Sequence, residues 1–181
     1  MKRKVGQVLI SEEELAAMCR RVAGQINRDY AGKEVLLIGV LKGAFVFMAD
    51  LVRYLDIDCQ VDFLAVSSYG GVHSTGVVKI NKDVDVDISG KHVILVEDII
   101  DSGLTLVKLK ELLQTRNPAS LAICTAFNKP HHRVHGLDVD YSGMDVPDVF
   151  IVGYGLDFDG RYRQLPAIYE LVLVDDETTE E

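Results

Sequence analysis

Residues 93–113 read VILVEDIIDSGLTLVKLKELL. The stretch opens with four apolar residues, Val93 to Val96. A run without alternation suits a strand buried on both faces, as in a parallel sheet. Two adjacent carboxylates follow, Glu97 and Asp98, then Ile99, Ile100, Asp101 and the small turn Ser102-Gly103. After Thr105 the period changes, and Leu106, Leu109, Leu112 and Leu113 recur at helical spacing. The stretch therefore predicts a central strand that ends in carboxylates and passes through a glycine turn into a helix N-terminus.

That arrangement has chemical consequences. Ligands of open α/β sheets bind beyond the carboxyl ends of the strands. A helix N-terminus offers free backbone N–H groups to a phosphate, and glycine lets the backbone approach closely. The hydroxyls of Ser102 and Thr105 add donors. Carboxylates beside a phosphate cradle would repel the ligand unless they hold sugar hydroxyls or a divalent cation that screens the charge. The expected ligand is a sugar phosphate, with more phosphate and Mg²⁺ nearby. For any one of these residues, an ordinary N-capped helix explains the sequence equally well.

Working outward, Ser11 and Glu14 form a capping box ahead of Leu15, Met18, Val22 and Ile26, which predicts an amphipathic helix ending by Gly32. Val35 to Val40 reads as a second buried strand. Lys42-Gly43 follows at its end, before a helix whose inner face is expected to carry Phe45, Met48, Ala49 and Val52. Cys59 to Ser67 is a third strand. Ser67 to Gly76 is rich in Gly and Ser, which suits either a plain hairpin loop or a mobile lid. The alternation from Val77 to Ile88, in the pieces VVKIN and DVDVDIS, predicts a hairpin whose aspartates form a solvated edge. Ser120 to Phe127 is a further buried strand, ending at Asn128-Lys129-Pro130; His131 and His132 read as loop residues. Val149 to Val152 is a short strand leading into GYGLDFDGRYRQLP.

Composition sets bounds. With 181 residues the chain suits one domain, 1–181. No apolar run approaches the roughly 20 residues of a membrane span, and the N-terminal apolar stretch is too interrupted for a signal peptide. Three cysteines, Cys19, Cys59 and Cys124, without a C-x-x-C pattern, argue for reduced thiols and a cytoplasmic location. A net charge of −9 disfavours nucleic acid as a partner. The acidic tail, residues 175–181, reads as disordered and solvated.

The string EDIIDSGLT, Glu97 to Thr105, closely resembles the phosphoribosyl-pyrophosphate (PRPP) motif of type I phosphoribosyltransferases. The segment GYGLDFDGRYR, Gly153 to Arg163, resembles the C-terminal segment of their hypoxanthine-guanine members, and LKG and Ser68-Tyr69 give weaker support. The resemblance runs from about Val8 to Leu173. It implies a mostly parallel sheet flanked by helices, with a small hood from the N- and C-terminal segments.

The resemblance also implies roles. PRPP would be held by Lys42, Gly43, Glu97, Asp98, Asp101, Ser102, Gly103, Leu104, Thr105 and Arg163, with Asp101 also managing the N7 proton of the purine. Lys129, Phe150, Ile151 and Asp157 would bind a 6-oxopurine, Lys129 as a donor to the 6-oxo group and Phe150 by stacking. Glu97, Asp98 and Asp157 would meet Mg²⁺, and Ser68 and Tyr69 would belong to a lid. The products would be a nucleoside monophosphate and pyrophosphate, and the assembly a homodimer or homotetramer. Two alternatives stay open: a non-catalytic PRPP or nucleotide sensor on the same fold, and an enzyme for another base.

Overall fold

The computed structural model describes residues 2–68, 78–130 and 137–174. Its main sheet has six strands. Ranges in chain order are β1 (Lys2–Ile10), α1 (Glu12–Asp29), β2 (Val35–Leu41), α2 (Phe45–Val52), β3 (Cys59–Ser68), β4 (Val78–Lys82), β5 (His92–Ile100), α3 (Leu104–Gln114), β6 (Ser120–Asn128), β7 (Tyr141–Asp145), β8 (Ile151–Val152) and β9 (Ile168–Val174). The sheet order is β4-β3-β2-β5-β6-β7, parallel except for β4, which pairs antiparallel to β3 at the edge.

The fold follows from what the strands bury. Along β2, Val35 and Leu37 point into one core while Leu36, Ile38 and Val40 point into another. Along β5, Ile94 and Val96 alternate in the same way with Val93 and Leu95. The first core is closed by α1 and α2, the second by α3, so the helices cover both faces. The apolar runs read from the sequence are the strands that need cover on two sides. Helix α1 begins at the expected capping box: Glu14 N–H donates to Ser11 Oγ at 3.3 Å, and Ser11 N–H to Glu14 Oε2 at 2.8 Å.

A second sheet, β1-β9-β8, is antiparallel and joins the two ends of the chain as the expected hood. Among the described residues no helix is long and apolar enough to cross a membrane.

Two expectations are corrected. DVDVDIS is not a strand, because its backbone has another partner. The buried Asp62 carboxylate on β3 accepts the N–H groups of Asp85 and Val86, at 2.7 and 3.2 Å, where the piece bends. The inner face of α2 is Phe47, Met48 and Leu51, while Phe45 and Ala49 are exposed. FVFMADLV is apolar nearly all round, so its period alone does not choose a face. Residues 69–77, 131–136 and 175–181 lie outside the described residues, and with them Tyr69, most of the lid, both loop histidines and the acidic tail.

Candidate active site

The site lies at the C-terminal edge of the parallel strands, where β2, β5 and β6 release their loops. Strand β5 carries Val93 to Val96 through the centre of the molecule and delivers Glu97 and Asp98 half-buried at that edge. Gly103 caps α3 at φ 78°, a left-handed backbone that glycine adopts without cost. Leu104 and Thr105 open the helix beyond it, and Leu104 N–H points to Ser102 Oγ at 3.5 Å. A cavity of about 270 Å³ sits here, lined by Glu97, Asp101, Ser102, Gly103 and Thr105 among others. Asp101 is exposed at its rim. The turn and helix N-terminus read from the sequence thus form a concave cradle.

The two carboxylates are an uneasy pair. Burial first, then the charge of Asp98 beside it, push Glu97 well above the usual carboxylate range. Burial also raises Asp98, against its hydrogen bonds with Glu97 and Ile99 N–H and the attraction of Arg163. Like charges held this close at a half-buried edge favour a bound cation.

Strand β2 ends in the Lys42-Gly43 loop, with a non-proline cis peptide between Leu41 and Lys42. Lys42 is exposed. Gly43 packs directly on Asp98, and a Cβ there would overlap the carboxylate. Gly155 in turn packs on the Gly43 carbonyl. Three segments far apart in sequence therefore touch in one line.

The GYGLDFDGRYR segment is held by its own backbone. Gly153 and Leu156 exchange N–H···O bonds, as do Phe158 and Arg161, and Gly155 N–H donates to Arg163 O at 3.1 Å. Arg163 donates from Nη1 to Gly155 O at 2.6 Å and pairs through Nη2 with Asp157 Oδ1 at 2.5 Å. The other Asp157 oxygen accepts Gly160 N–H at 2.7 Å. Asp157 is thus engaged by Arg163 and Gly160. Among the described residues no group of three or more His, Cys, Asp or Glu side chains is placed to hold a metal.

Lys129 follows the end of β6, and Phe150 and Ile151 stand at the start of β8. Lys129 N–H donates to Ile100 O at 2.9 Å, which fastens the end of β6 to the acidic motif. Its ammonium donates to Val149 O at 3.2 Å and approaches Asp148 at 3.5 Å. Phe150 is 60% exposed, open on one side, and its ring meets Phe158 edge-to-face at 5.9 Å. Phe158 is backed by the Arg3 guanidinium at 4.8 Å. Ile151 is buried in β8 and pairs with Glu170. Of the expected lid, Ser68 ends β3.

Sequence reasoning passed over Tyr154, which is buried among these segments at φ 49°. Its signal was the tyrosine set between two glycines. Arg3 and Phe158 were passed over as well; Phe158 lies inside the GYGLDFDGRYR segment, and nothing local marked Arg3.

A family model described as "Phosphoribosyl transferase domain" matches residues 7–159. The hypoxanthine phosphoribosyltransferase of Escherichia coli K12 is 48% identical over 173 residues, 94% of this chain and 97% of that protein. The hypoxanthine-guanine phosphoribosyltransferase of Streptococcus thermophilus is 46% identical, covering 93% and 94%. A crystal structure of a hypoxanthine-guanine phosphoribosyltransferase from Bacillus anthracis superposes with a TM-score of 0.88 at 47% identity, over 94% of this chain and all of that one. With its parallel sheet, its acidic strand end and its glycine-capped cradle, this chain belongs to the phosphoribosyl transferase family.

Proposed function

We propose that this chain is a purine salvage enzyme that transfers the 5-phosphoribosyl group of PRPP to N9 of hypoxanthine or guanine, releasing pyrophosphate. The observation that carries the assignment of roles is the line of packing from Asp98 through Gly43 to Gly155. It brings to one sheet edge the acidic pair proposed for the sugar, the loop proposed for pyrophosphate and the segment proposed for the base.

Breaking the bond from C1 to pyrophosphate leaves positive charge on the ribose and negative charge on the leaving group, so the protein's task is electrostatic. Lys42, the Gly43 backbone and Arg163 face the leaving group. Glu97 and Asp98 hold the ribose hydroxyls. The loop Asp101 to Thr105, with the N–H groups of α3, takes the 5′-phosphate. Asp101 is the acid–base group for N7. Phe150 stacks on the purine, Ile151 offers backbone atoms to its edge and Asp157 lies at its border. Lys129 donates to the 6-oxo oxygen, which adenine lacks.

The donor set fits Mg²⁺. Two adjacent carboxylates, both raised by burial and Glu97 also by the charge of Asp98, offer oxygen ligands without a third protein group. Magnesium is held in just this way, by one or two carboxylates together with substrate oxygens and water. Bound by Glu97 and Asp98, it would supply positive charge against the pyrophosphate. The three free thiols and the charge of −9 agree with a cytoplasmic enzyme that does not bind nucleic acid. We further expect a homodimer or homotetramer.

The test is a spectrophotometric assay of the purified chain with PRPP, Mg²⁺ and each purine in turn. Conversion of hypoxanthine or guanine to its monophosphate, abolished by chelator, is the expected result. Turnover of adenine or a pyrimidine alone would overturn the base assignment, and full activity in excess chelator would overturn the metal.

A further inference from the structure

Tyr154 sits where the base-binding segment meets the rest of the molecule, and its contacts go further than packing requires. It is nearly fully buried, with a left-handed backbone at φ 49° between Gly153 and Gly155 at φ 100° and 96°. Such a conformation is uncommon for a bulky residue and persists only where the surroundings fix it. Tyr154 N–H donates to Leu165 O at 2.8 Å. The ring stands edge-on to Phe127 at 6.4 Å, two residues before Lys129. The hydroxyl donates to Asp50 Oδ2 at 2.7 Å and lies 3.3 Å from Cys19 Sγ. With its one proton given to the carboxylate, the hydroxyl accepts from the thiol.

Asp50 lies on α2, the helix that leaves the Lys42-Gly43 loop. The next residue after the tyrosine, Gly155, packs on the Gly43 carbonyl and accepts the Arg163 guanidinium. A cavity of about 380 Å³ opens beside this bond, lined by Asp50, Tyr54, Tyr154 and the start of α1. On that side the ring is tied by the hydrogen bonds of its hydroxyl to Asp50 and Cys19.

We infer that Tyr154, through its hydrogen bond to Asp50, is a positioning residue for the pyrophosphate end of the site: it fixes Gly155 against Gly43 and thereby sets where Arg163 meets the leaving group. The inference rests on the phosphoribosyltransferase reading. Tyr154 then governs PRPP and pyrophosphate and leaves the purine untouched.

The experiment uses the full chain with Tyr154→Phe, which keeps the ring and removes the donor, alongside Asp50→Asn and Asp50→Leu. Tyr154→Phe and Asp50→Leu are expected to raise KM for PRPP about tenfold while KM for hypoxanthine moves less than about twofold. Asp50→Asn, which still accepts from the hydroxyl, should stay near the parent. A purely structural role would instead lower the melting temperature and the active fraction with both KM values unchanged, and that result overturns the inference. A second readout needs no turnover: the Arg163 Nε–Hε signal in a ¹⁵N spectrum, assigned by its loss in Arg163→Lys. It should move in Tyr154→Phe and Asp50→Leu and hold in Asp50→Asn. If it holds in all three, the link is absent whether or not the chain transfers phosphoribosyl groups. A parent inactive on every oxopurine sinks the activity reading alone.

Discussion

The Asp98 carboxylate occupies the space that a side chain at position 43 would need. Gly43→Ala therefore sets a methyl group against a half-buried charge on the central strand. Overpacking of this kind costs roughly 1–3 kcal/mol. If the loop yields in preference to β5, kcat/KM for PRPP should fall about 5- to 150-fold, by the rule of tenfold per about 1.4 kcal/mol. The KM for hypoxanthine should change less. Kinetics with each substrate varied in turn check this, and a parental kcat/KM for PRPP would mean that loop and carboxylate part without cost.

Asp101→Asn should lower turnover far more than it weakens PRPP binding. The residue stands exposed at the rim of the cavity before α3, and Asn keeps its shape while losing the ability to take a proton. Loss of a general acid–base group typically costs about 10²- to 10⁴-fold. Single-turnover rates beside a PRPP titration separate the two effects. A turnover within a few-fold of the parent would reduce Asp101 to a loop residue.

Lys129→Met should change base choice. The ammonium is held at Val149 O and Asp148, the two residues before Phe150, and an ammonium has three donors, which leaves one for the proposed base. A charged donor contributes about 1.5–3 kcal/mol. Hypoxanthine and guanine should lose roughly 10- to 150-fold in kcat/KM, and adenine should gain relative to them. An unchanged ratio of kcat/KM for hypoxanthine over adenine would show that Lys129 does not read the 6-position.

Asp62→Asn tests the acid limb of stability. Burial alone would raise this carboxyl, but the N–H groups of Phe63, Asp85 and Val86, with Lys82 nearby, outweigh it and hold Asp62 below the usual range. A pKa depressed by folding adds stability that is present above the unfolded value and is lost as pH falls through the native one. The variant should be about 1–3 kcal/mol less stable near neutral pH. The gap should close below the ordinary aspartate range. Denaturant unfolding across that range measures it, and a gap constant with pH would assign the effect to shape instead of charge.

The parts legible in the sequence were those whose causes are local. Val93 to Val96 needs cover on two faces, and Ser102-Gly103 needs a turn, so β5, the cradle and α3 followed from neighbours alone. The alternation in DVDVDIS was equally local and misled, because its outcome depends on Asp62, more than 20 residues earlier, which takes its N–H groups. Strand β7, YSGMD, carries almost no apolar pattern and exists by pairing with β6; Gly143 packs so closely on the Ala126 carbonyl that a Cβ would not fit. In the candidate site, residue types singled out the carboxylates, Lys129 and Arg163 as candidates. The partnership of Arg163 with Asp157 and the hub at Tyr154 arise from a folded-back backbone that no spacing rule describes.

The two ends of the site are anchored very unequally. Strand β5 lies between β2 and β6 with a core on each face, whereas β8 has two residues and pairs with β9 alone. Local opening is easiest where few buried contacts must part. Amide protons of Val93 to Val96 should therefore exchange only with global unfolding, and those of Ile151 and Val152 much sooner. If the β5 end holds the sugar phosphate and β8 the base, as proposed, a purine would leave and be replaced through breathing of the small sheet while the phosphoribosyl end kept its shape.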